Sequence, residues 1–347
     1  MRGDLYRGIV SDSQPQPRIG VAYNVKKTNT VLRVSYGRLM ETPFNENLVL
    51  ASVANGDPVI SAVIGPSISA PIRPGFRNEF HAGFQQAFGK YLVVDADYLW
   101  KYTHNAYDFS VFGNTPIFFP IAWHNSKISG PSARISLPNF HGLTAFTVLA
   151  SASARFFPPQ VGGLGTTVAA SGLPFRIDHD QKFQQTTHFQ YQPFKNLPWF
   201  AFNWRYDSGL VAGAVPFAAD QVTPVDLTGL TADQQMQAGL HCGTIFPTLT
   251  SPLTSCDPAL YSSTRINLPA PGTQSDDHNP ARIAPRNLFD TAVGWDNIFR
   301  RDRFKTNLRL TVVNLTNKVV LYNFLSTFSG THFVTPRTVT GEVRLNF

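Results

Sequence analysis

The chain of 347 residues is 43% hydrophobic and 15% charged, so it can bury a core or coat a large apolar surface, and disorder is excluded. Its 28 Phe and 11 Tyr against 3 Met, with 25 Gly and 26 Pro, favour strands and turns over long helices. No run reaches the roughly 18 apolar residues that a membrane-spanning helix needs. The net charge of +7 comes from Lys and Arg scattered singly along the chain, so we expect no nucleic-acid partner.

A secretory signal contains an apolar stretch of about 7–15 residues, and the N-terminus of this chain lacks one. We therefore expect either a cytosolic protein or a chain whose true beginning lies upstream of Met1.

Alternation of apolar and polar residues dominates the chain from one end to the other. The stretches 91–104, 199–210, 303–316 and 337–347 each place apolar side chains on one face and polar side chains on the other. They are longer than the usual strand of ~5–6 residues and match the ~10 residues of a tilted membrane strand. The pattern therefore predicts strands that cross a bilayer.

Reading the whole chain in this way predicts about eleven strands. Their expected bounds are 16–25, 30–39, 76–88, 91–104, 128–138, 143–157, 182–194, 199–209, 286–300, 303–315 and 337–347. The short connections are 26–29, 89–90, 139–142, 195–198 and 301–302, and the long ones are 40–75, 105–127, 158–181, 210–285 and 316–336.

Short and long connections alternate without exception, which is typical of a membrane barrel and has no reason to occur in a soluble sandwich. The predicted fold class is all-β: part of an antiparallel transmembrane β-barrel with short periplasmic turns and long extracellular loops. Aromatic residues flank the short turns as an interfacial girdle would: Phe88, Tyr91, Phe194, Trp199, Phe299 and Phe304. The alternative is that these rings belong to the core of a large water-soluble β-sandwich.

The longest connection, 210–285, contains both cysteines, Cys242 and Cys256. They favour a disulfide formed in an oxidising compartment, and two free buried thiols are the alternative. The same connection predicts one helix, with Thr231 as N-cap, Gln234 completing a capping box and Gly239 ending it. We expect a small stapled cap over the mouth of the barrel.

Candidate catalytic residues are few. The acidic and histidine residues at 178–180, His241 and 276–278 lie in predicted loops, with no metal-ligand spacing on a rigid element. We interpret them as solvated loop residues, and expect no enzymatic activity, no metal and no cofactor.

Charged residues on the polar faces of the predicted strands are expected to point into the lumen. There they would pair with one another or line a solute path, and mutual pairing is favoured. The set comprises Arg33, Asp95, Asp97, Lys101, Arg134, Arg155, Arg205, Asp290, Lys305, Arg309 and Arg344.

Several stretches resemble TonB-dependent receptors. The stretches 307–318, 328–337 and 340–347 resemble the end of such a receptor, and 17–23 followed by 32–44 resembles a mid-barrel hairpin. Within that family the chain is most similar to the Oar-like group, whose members carry a carboxypeptidase-regulatory-like domain before the plug. The resemblance implies a plug and a barrel of about twenty-two strands, so residues 1–347 are expected to be the C-terminal part of the barrel domain. It also implies that the lumen-facing charged residues contact the plug, a role that is favoured, with mutual pairing, over a solute path.

The resemblance also implies location and partners. We expect the bacterial outer membrane, with its lipid around the barrel. Val343, Leu345 and Phe347 form a C-terminal strand similar to the signal that the barrel-assembly machinery reads. TonB would be contacted only through the missing N-terminal region.

Two functions of different classes are open. The first is a receptor that binds an unidentified solute and admits it through a TonB-driven rearrangement of the plug. The second is a passive or structural outer-membrane protein, such as a porin or an adhesin, which needs only a barrel and loops.

Overall fold

The computed structural model describes residues 2–8, 10–44, 68–70, 72–111, 118–164, 172–299, 305–327 and 330–346. The expected turn at 301–302, Phe304 and Phe347 lie outside these residues. The described strands are β1 Arg2–Arg7, β2 Ser11–Gln16, β3 Arg18–Val25, β4 Thr30–Glu41, β5 Ile68–Ala70, β6 Gly75–Phe88, β7 Leu92–Val111, β8 Phe118–Phe140, β9 Leu143–Ala150, β10 Ser153–Leu164, β11 Phe175–Arg176, β12 Gln184–Tyr191, β13 Trp199–Asp207, β14 Val225–Asp226, β15 Leu240–Cys242, β16 Ser255–Cys256, β17 Tyr261–Ser263, β18 Ile266–Asn267, β19 Arg282–Ile283, β20 Arg286–Trp295, β21 Lys305–Val313, β22 Leu321–Ser326, β23 Gly330–Phe333 and β24 Thr338–Asn346. The helix α1 spans Ala232–Ala238.

One antiparallel sheet organises the molecule. Its strands follow the order β24-β21-β20-β13-β12-β9-β8-β7-β6-β4-β3, so each of these eleven strands pairs with its neighbour along the chain. β10 also pairs with β8, and β5 and β11 pair with β10, so all three join the same sheet. The eleven strands correspond one to one with the eleven predicted from alternation, which confirms the all-β fold class.

The hairpin of β7 and β8 is longer than expected. The prediction assigned 105–127 to a loop, but the two strands pair continuously from Val93 opposite Ser136 to Val111 opposite Phe118. Apolar and aromatic residues recur through this stretch, as at Tyr107 and Trp123, and support strands although Asn105 has a positive φ of 51°.

The predicted strand 143–157 is divided into β9 and β10, both of which pair with β8. The register is preserved across the break: Ala150 lies opposite Ser132 and Ser153 lies opposite Ser129. β10 then continues to Leu164, into the segment predicted as loop.

The hairpin of β1 and β2 was not predicted. Its two strands pair from Arg2 opposite Gln16 to Arg7 opposite Ser11. The sequence of β2, SDSQPQ, is almost wholly polar, so it carries no apolar alternation that could have revealed it.

The register of the sheet aligns the alternating apolar positions into a single apolar face. Val21, Val34 and Ala82 are direct neighbours across three strands near one edge. Val293, Leu310 and Gly341 are neighbours near the other. Large apolar side chains on this face are exposed, with Leu310 at 51% and Val343 at 68%. The polar face is the opposite surface of the same eleven strands.

A separate hydrophobic core lies in the long connections. Leu227, Leu240 and Ile283 of 208–285 pack with Leu321 and Phe324 of the last connection, and all five are almost fully buried. We call 208–285 together with the hairpin of β22 and β23 the cap. Among the described residues, no helix has the length and hydropathy needed to cross a bilayer.

Glycine is required at position 294 because the Trp199 ring packs directly against its backbone on the polar face. A Cβ at Gly294 would lie 2.2 Å from Cζ2 of Trp199, whereas a Cβ at Gly341 would meet nothing within 4 Å. We expect Gly294→Ala to lower the free energy of unfolding of the complete protein by about 1–3 kcal/mol, because the indole must move off the sheet. Gly341→Ala is the matched control and should change it by no more than about 0.5 kcal/mol. Equal losses in denaturant titrations would contradict the packing described.

Candidate functional site

The polar face carries a network of ion pairs near the β3 edge. The Arg33 guanidinium on β4 binds the Asp95 carboxylate on β7 through two nitrogens, at 2.6 and 3.2 Å. His81 Nδ1 lies 2.9 Å from Oδ1 of Asp97. Gly83 on the intervening strand leaves room for this network, since a Cβ there would lie 2.7 Å from Oδ2 of Asp97. Three of the predicted lumen-facing residues thus lie together.

A second cluster lies further along the same strands. Arg77 forms ion pairs of 2.9 Å with both Glu41 and Glu79. Lys101 lies opposite Glu79 in the register of β6 and β7. Arg77 and Glu79 were not predicted as site residues, although the alternation within 76–88 already placed them on the polar face.

Other predicted residues lie on the polar face from β8 to the β24 edge. Arg134 stacks on the ring of Phe146 at 4.4 Å, and Arg205 lies 3.7 Å from Asp290. Arg344 pairs with Glu342 at 2.8 Å. Lys305 is exposed and lies opposite Asn346.

Trp199 differs from its expected place in an aromatic girdle. It lies opposite Gly294, which lies opposite Arg309, so all three share the polar face. The Arg309 guanidinium lies 5.9 Å from the Trp199 ring. Phe88, Tyr91, Phe194 and Phe299 are exposed beside the short turns.

Arg155 is not on the polar face, which corrects the prediction. It lies opposite Lys127, and Lys127 lies opposite Tyr102 on the apolar face. Arg155 lies towards the long connections, and its Nε is 2.8 Å from the Asp277 carboxylate of the longest one. That ion pair compensates its charge.

A cavity of about 360 Å³ lies where the polar face meets the cap. We call it the mouth pocket. Its floor is formed by Arg205, Leu288 and Val313, and its roof by Tyr322 and Phe333 of the last connection. Asn323 and His332 also line it. Aromatic rings beside a cation and hydrogen-bonding groups can hold a polar organic solute or a metal chelate.

The base of the cap is held by a buried acidic residue. Asp180 is fully buried and receives hydrogen bonds from Arg176 Nη1 at 3.0 Å and from the backbone N–H of Ala154 at 2.7 Å. Arg282, also buried, forms an ion pair with the same carboxylate and donates to the Asp180 carbonyl at 2.9 Å. The expectation of a solvated residue is wrong for Asp180, because two arginines from distant segments compensate its charge.

Asp277 is also largely buried, between Arg155 and Arg176. Arg286 is buried as well, paired with Asp207 at 2.9 Å and donating to the Leu321 carbonyl at 3.0 Å. No periodicity could have revealed these contacts, since Asp180 and Arg282 are 102 residues apart.

Asp178 links two of the long connections. It accepts hydrogen bonds from Ser326 Oγ at 2.6 Å and from the backbone N–H of Thr327 at 2.9 Å. Burial alone would raise the pKa of Asp178, but hydrogen bonds from His179 and Ser326 lower it overall. The hydrogen bond to Asp178 raises the pKa of His179, against the opposing effect of burial. Asp178 and His179 therefore form a charged pair over the pH range between the pKa of the carboxyl and the pKa of the imidazole.

Cys242 and Cys256 are joined by a disulfide, with their Cα atoms 5.6 Å apart. Helix α1 begins and ends as the sequence predicts: Thr231 and Gln234 form a reciprocal capping box, and Gly239 adopts the left-handed conformation. His241 stacks on Phe246 and bonds the Gly243 carbonyl. These features hold the cap together without forming a reactive centre.

Val343 and Leu345 lie exposed on the apolar face of β24, whereas Phe347 lies outside the described residues. Within the part of the chain that the structure describes, no group of three or more His, Cys, Asp or Glu side chains could hold a metal ion.

No family model and no curated protein matches the chain. Its fold is similar to several solved structures. The FrpB iron transporter from Neisseria meningitidis (F5-1 variant, apoprotein form) has a TM-score of 0.56 at 15% identity, over 96% of this chain and 39% of that one. The copper transporter OprC gives 0.56 at 12% identity, over 96% and 40%. The pyoverdine receptor FpvA from Pseudomonas aeruginosa PAO1, bound to pyoverdine, gives 0.53 at 12% identity, over 97% and 37%.

The chain therefore shares the fold of these outer-membrane barrels and spans about 40% of the length of those it matches. Likeness at such low identity shows the fold alone, so the solutes that they carry are not transferred by it.

We expect Asp180→Asn to lower the local opening free energy at the base of the cap by about 3–5 kcal/mol, because Arg176 and Arg282 lose their shared buried charge. Hydrogen exchange of the amides in 176–183 and 282–286 measures this. Asp276→Asn, at an exposed position of the connection that contains Arg282, is the control and should stay within about 0.5 kcal/mol. Unchanged exchange in Asp180→Asn would show that the buried ion pairs do not hold the cap.

Proposed function

We propose that the chain is the C-terminal part of the barrel of a TonB-dependent receptor, placed in the bacterial outer membrane, that takes up a solute by binding and gating without covalent chemistry. The observation that carries the proposal is the continuous apolar face of eleven paired strands, which would be unstable against water. The structural similarity to outer-membrane transporters supports it, and the motifs near the C-terminus favour the Oar-like group.

The long connections, including 210–285, would face the outside and the short turns the periplasm. In that orientation the mouth pocket opens toward arriving solute, and the polar face below it meets the plug. Phe347 would be read by the barrel-assembly machinery, and TonB would act on a region outside this chain. These roles follow from the resemblance and the orientation of the sheet.

The mouth pocket is proposed to contact the solute. In the complete receptor, we expect Phe333→Ala to raise KM for uptake without lowering the amount of receptor, because it removes one wall of the pocket. Val319→Ala, exposed in the same connection and not lining the pocket, is the control.

Uptake is measured in cells supplied with ferric catecholate, free copper or ferric pyoverdine, with and without TonB. Energy-dependent uptake of one of them that requires TonB supports the receptor. If the protein is expressed in the outer membrane and uptake is the same with and without TonB, a porin is favoured. If it is expressed there and no uptake occurs, an adhesin is favoured.

The assignment of faces is tested by two adjacent residues of β21. Leu310→Arg would place a charge in hydrocarbon and should cost roughly 2–4 kcal/mol near mid-bilayer. Arg309→Leu removes a polar-face charge whose contacts are an exposed hydrogen bond from Nε to the Thr311 hydroxyl, at 3.1 Å, and the Trp199 ring, so it should cost far less. Reversible unfolding of the complete receptor in lipid vesicles measures both. Equal penalties would mean that no membrane covers the apolar face.

The orientation is tested with inserted tags. Tags near Ala219 or Gly272, both in the cap, should be labelled from outside intact cells. A tag at Asn196, in the short turn between β12 and β13, should be labelled only after the outer membrane is opened. A tag at Arg301, outside the described residues, is expected to behave like the one at Asn196. The opposite labelling pattern would reverse the proposed topology.

A further inference from the structure

A row of basic residues crosses the apolar face at its edge nearest the long connections. Arg38 on β4 lies opposite Asn78 on β6, which lies opposite Tyr102 on β7, and Tyr102 lies opposite Lys127 on β8. Arg155 on β10 continues the row, but Asp277 compensates its charge. Among the described residues, neither Arg38 nor Lys127 takes part in an ion pair.

Both of these cations rest on aromatic rings of the strands between them. The Arg38 guanidinium carbon lies 4.4 Å from the centre of the Phe76 ring on β6. Lys127 Nζ lies 5.6 Å from the centre of the Tyr102 ring on β7. Each side chain therefore reaches over the strand beside its own, in the direction of the other cation. The two rings lie on adjacent strands about 4.8 Å apart and are offset by two residues, since Phe76 lies opposite His104 and Tyr102 lies opposite Asn78. One anionic group between them could contact both.

One nitrogen of the Arg38 guanidinium also lacks an acceptor, because its Nε is buried and makes no hydrogen bond among the described residues. Phosphate matches the geometry of a guanidinium well.

An apolar groove lies directly beneath the basic row. It has a volume of about 570 Å³, within the range of about 300–1,000 Å³ for cavities that take small ligands. Its lining includes Val34, Tyr36, Phe80, Ala82, Trp100 and Tyr102. The small side chain of Ala82 lies between larger ones and leaves the space open.

We propose that the basic row and the groove together bind one phosphate-bearing lipid. The phosphate is held between Arg38 and Lys127, and an acyl chain lies in the groove. The charge of the row selects an anionic headgroup, and the apolar walls select a chain rather than a soluble phosphate. The inference rests on the outer-membrane location proposed above, because only a lipid leaflet brings both parts of such a ligand to this face.

The complete receptor in phosphatidylcholine nanodiscs provides the test, with brominated phosphatidic acid or brominated phosphatidylcholine added as the probe. Bromine near Trp100 quenches its fluorescence. The wild-type protein should be quenched at lower concentrations of phosphatidic acid than of phosphatidylcholine. Arg38→Gln and Lys127→Gln should each weaken that preference on the order of fivefold at low salt.

Lys90→Gln is the matched control, because Lys90 also stacks on a ring, that of Tyr91, but at the short-turn end of the sheet. It should leave the preference unchanged. Ala82→Phe, which fills the groove and keeps both cations, should weaken quenching by phosphatidic acid. Equal quenching by the two lipids in the wild-type protein, or an equal effect of Lys90→Gln, would overturn the site.

The location is tested separately by fractionating cells. A protein absent from the outer membrane would overturn the proposed function even if nanodisc binding persisted. A receptor present there without lipid preference would overturn the lipid site alone.

Discussion

The register between neighbouring strands is the constraint on which the rest of the structure depends. Side chains alternate with a period of two, so a slip of one residue would move every apolar side chain of a strand to the polar face. Eleven strands in succession keep their apolar positions in line, from Val21 near one edge to Val343 near the other. Such a face requires an apolar environment outside and leaves the charged residues to be satisfied among themselves.

The charged residues are satisfied in two different ways. On the polar face they form partly exposed pairs, such as Arg33 with Asp95, and each such pair contributes little to stability. At the base of the cap, Asp180 with Arg176 and Arg282 is buried, and removing one partner would leave a charge without compensation. The network on the polar face can therefore rearrange at low cost, whereas the base of the cap cannot.

The sequence alone was sufficient to predict the eleven strands, the short turns near 26–29, 89–90, 139–142 and 195–198, and the capping box of α1. These depend on local patterns: a period of two, turn-forming residues, and Thr231 followed by Gln234. The same period of two places Trp199 on the polar face, opposite to Phe200, although its aromatic character suggested a girdle, and Gly294 leaves room for its ring there. Asp180 could not be placed by pattern, since its partners come from segments far apart in the chain.

The β7 and β8 extension was missed for a related reason. Asn105 and the neighbouring polar residues interrupt the alternation that signalled the other strands, although backbone pairing continues past them. A strand is recognised in the sequence when one of its faces is apolar and the other is polar. It is missed where the strand continues past the apolar face of the sheet, because its side chains no longer alternate there.

The two ends of the cap segment 208–285 are adjacent in space. Asp207, the last residue of β13, lies opposite Arg286, the first residue of β20, and the two side chains form an ion pair. The segment has a disulfide and supplies most of a hydrophobic core that it completes with the neighbouring hairpin. Architecturally it resembles a domain inserted into a β-hairpin whose strands are already paired. Recombination at this junction could therefore exchange the outer module between barrels while leaving the register of the sheet intact.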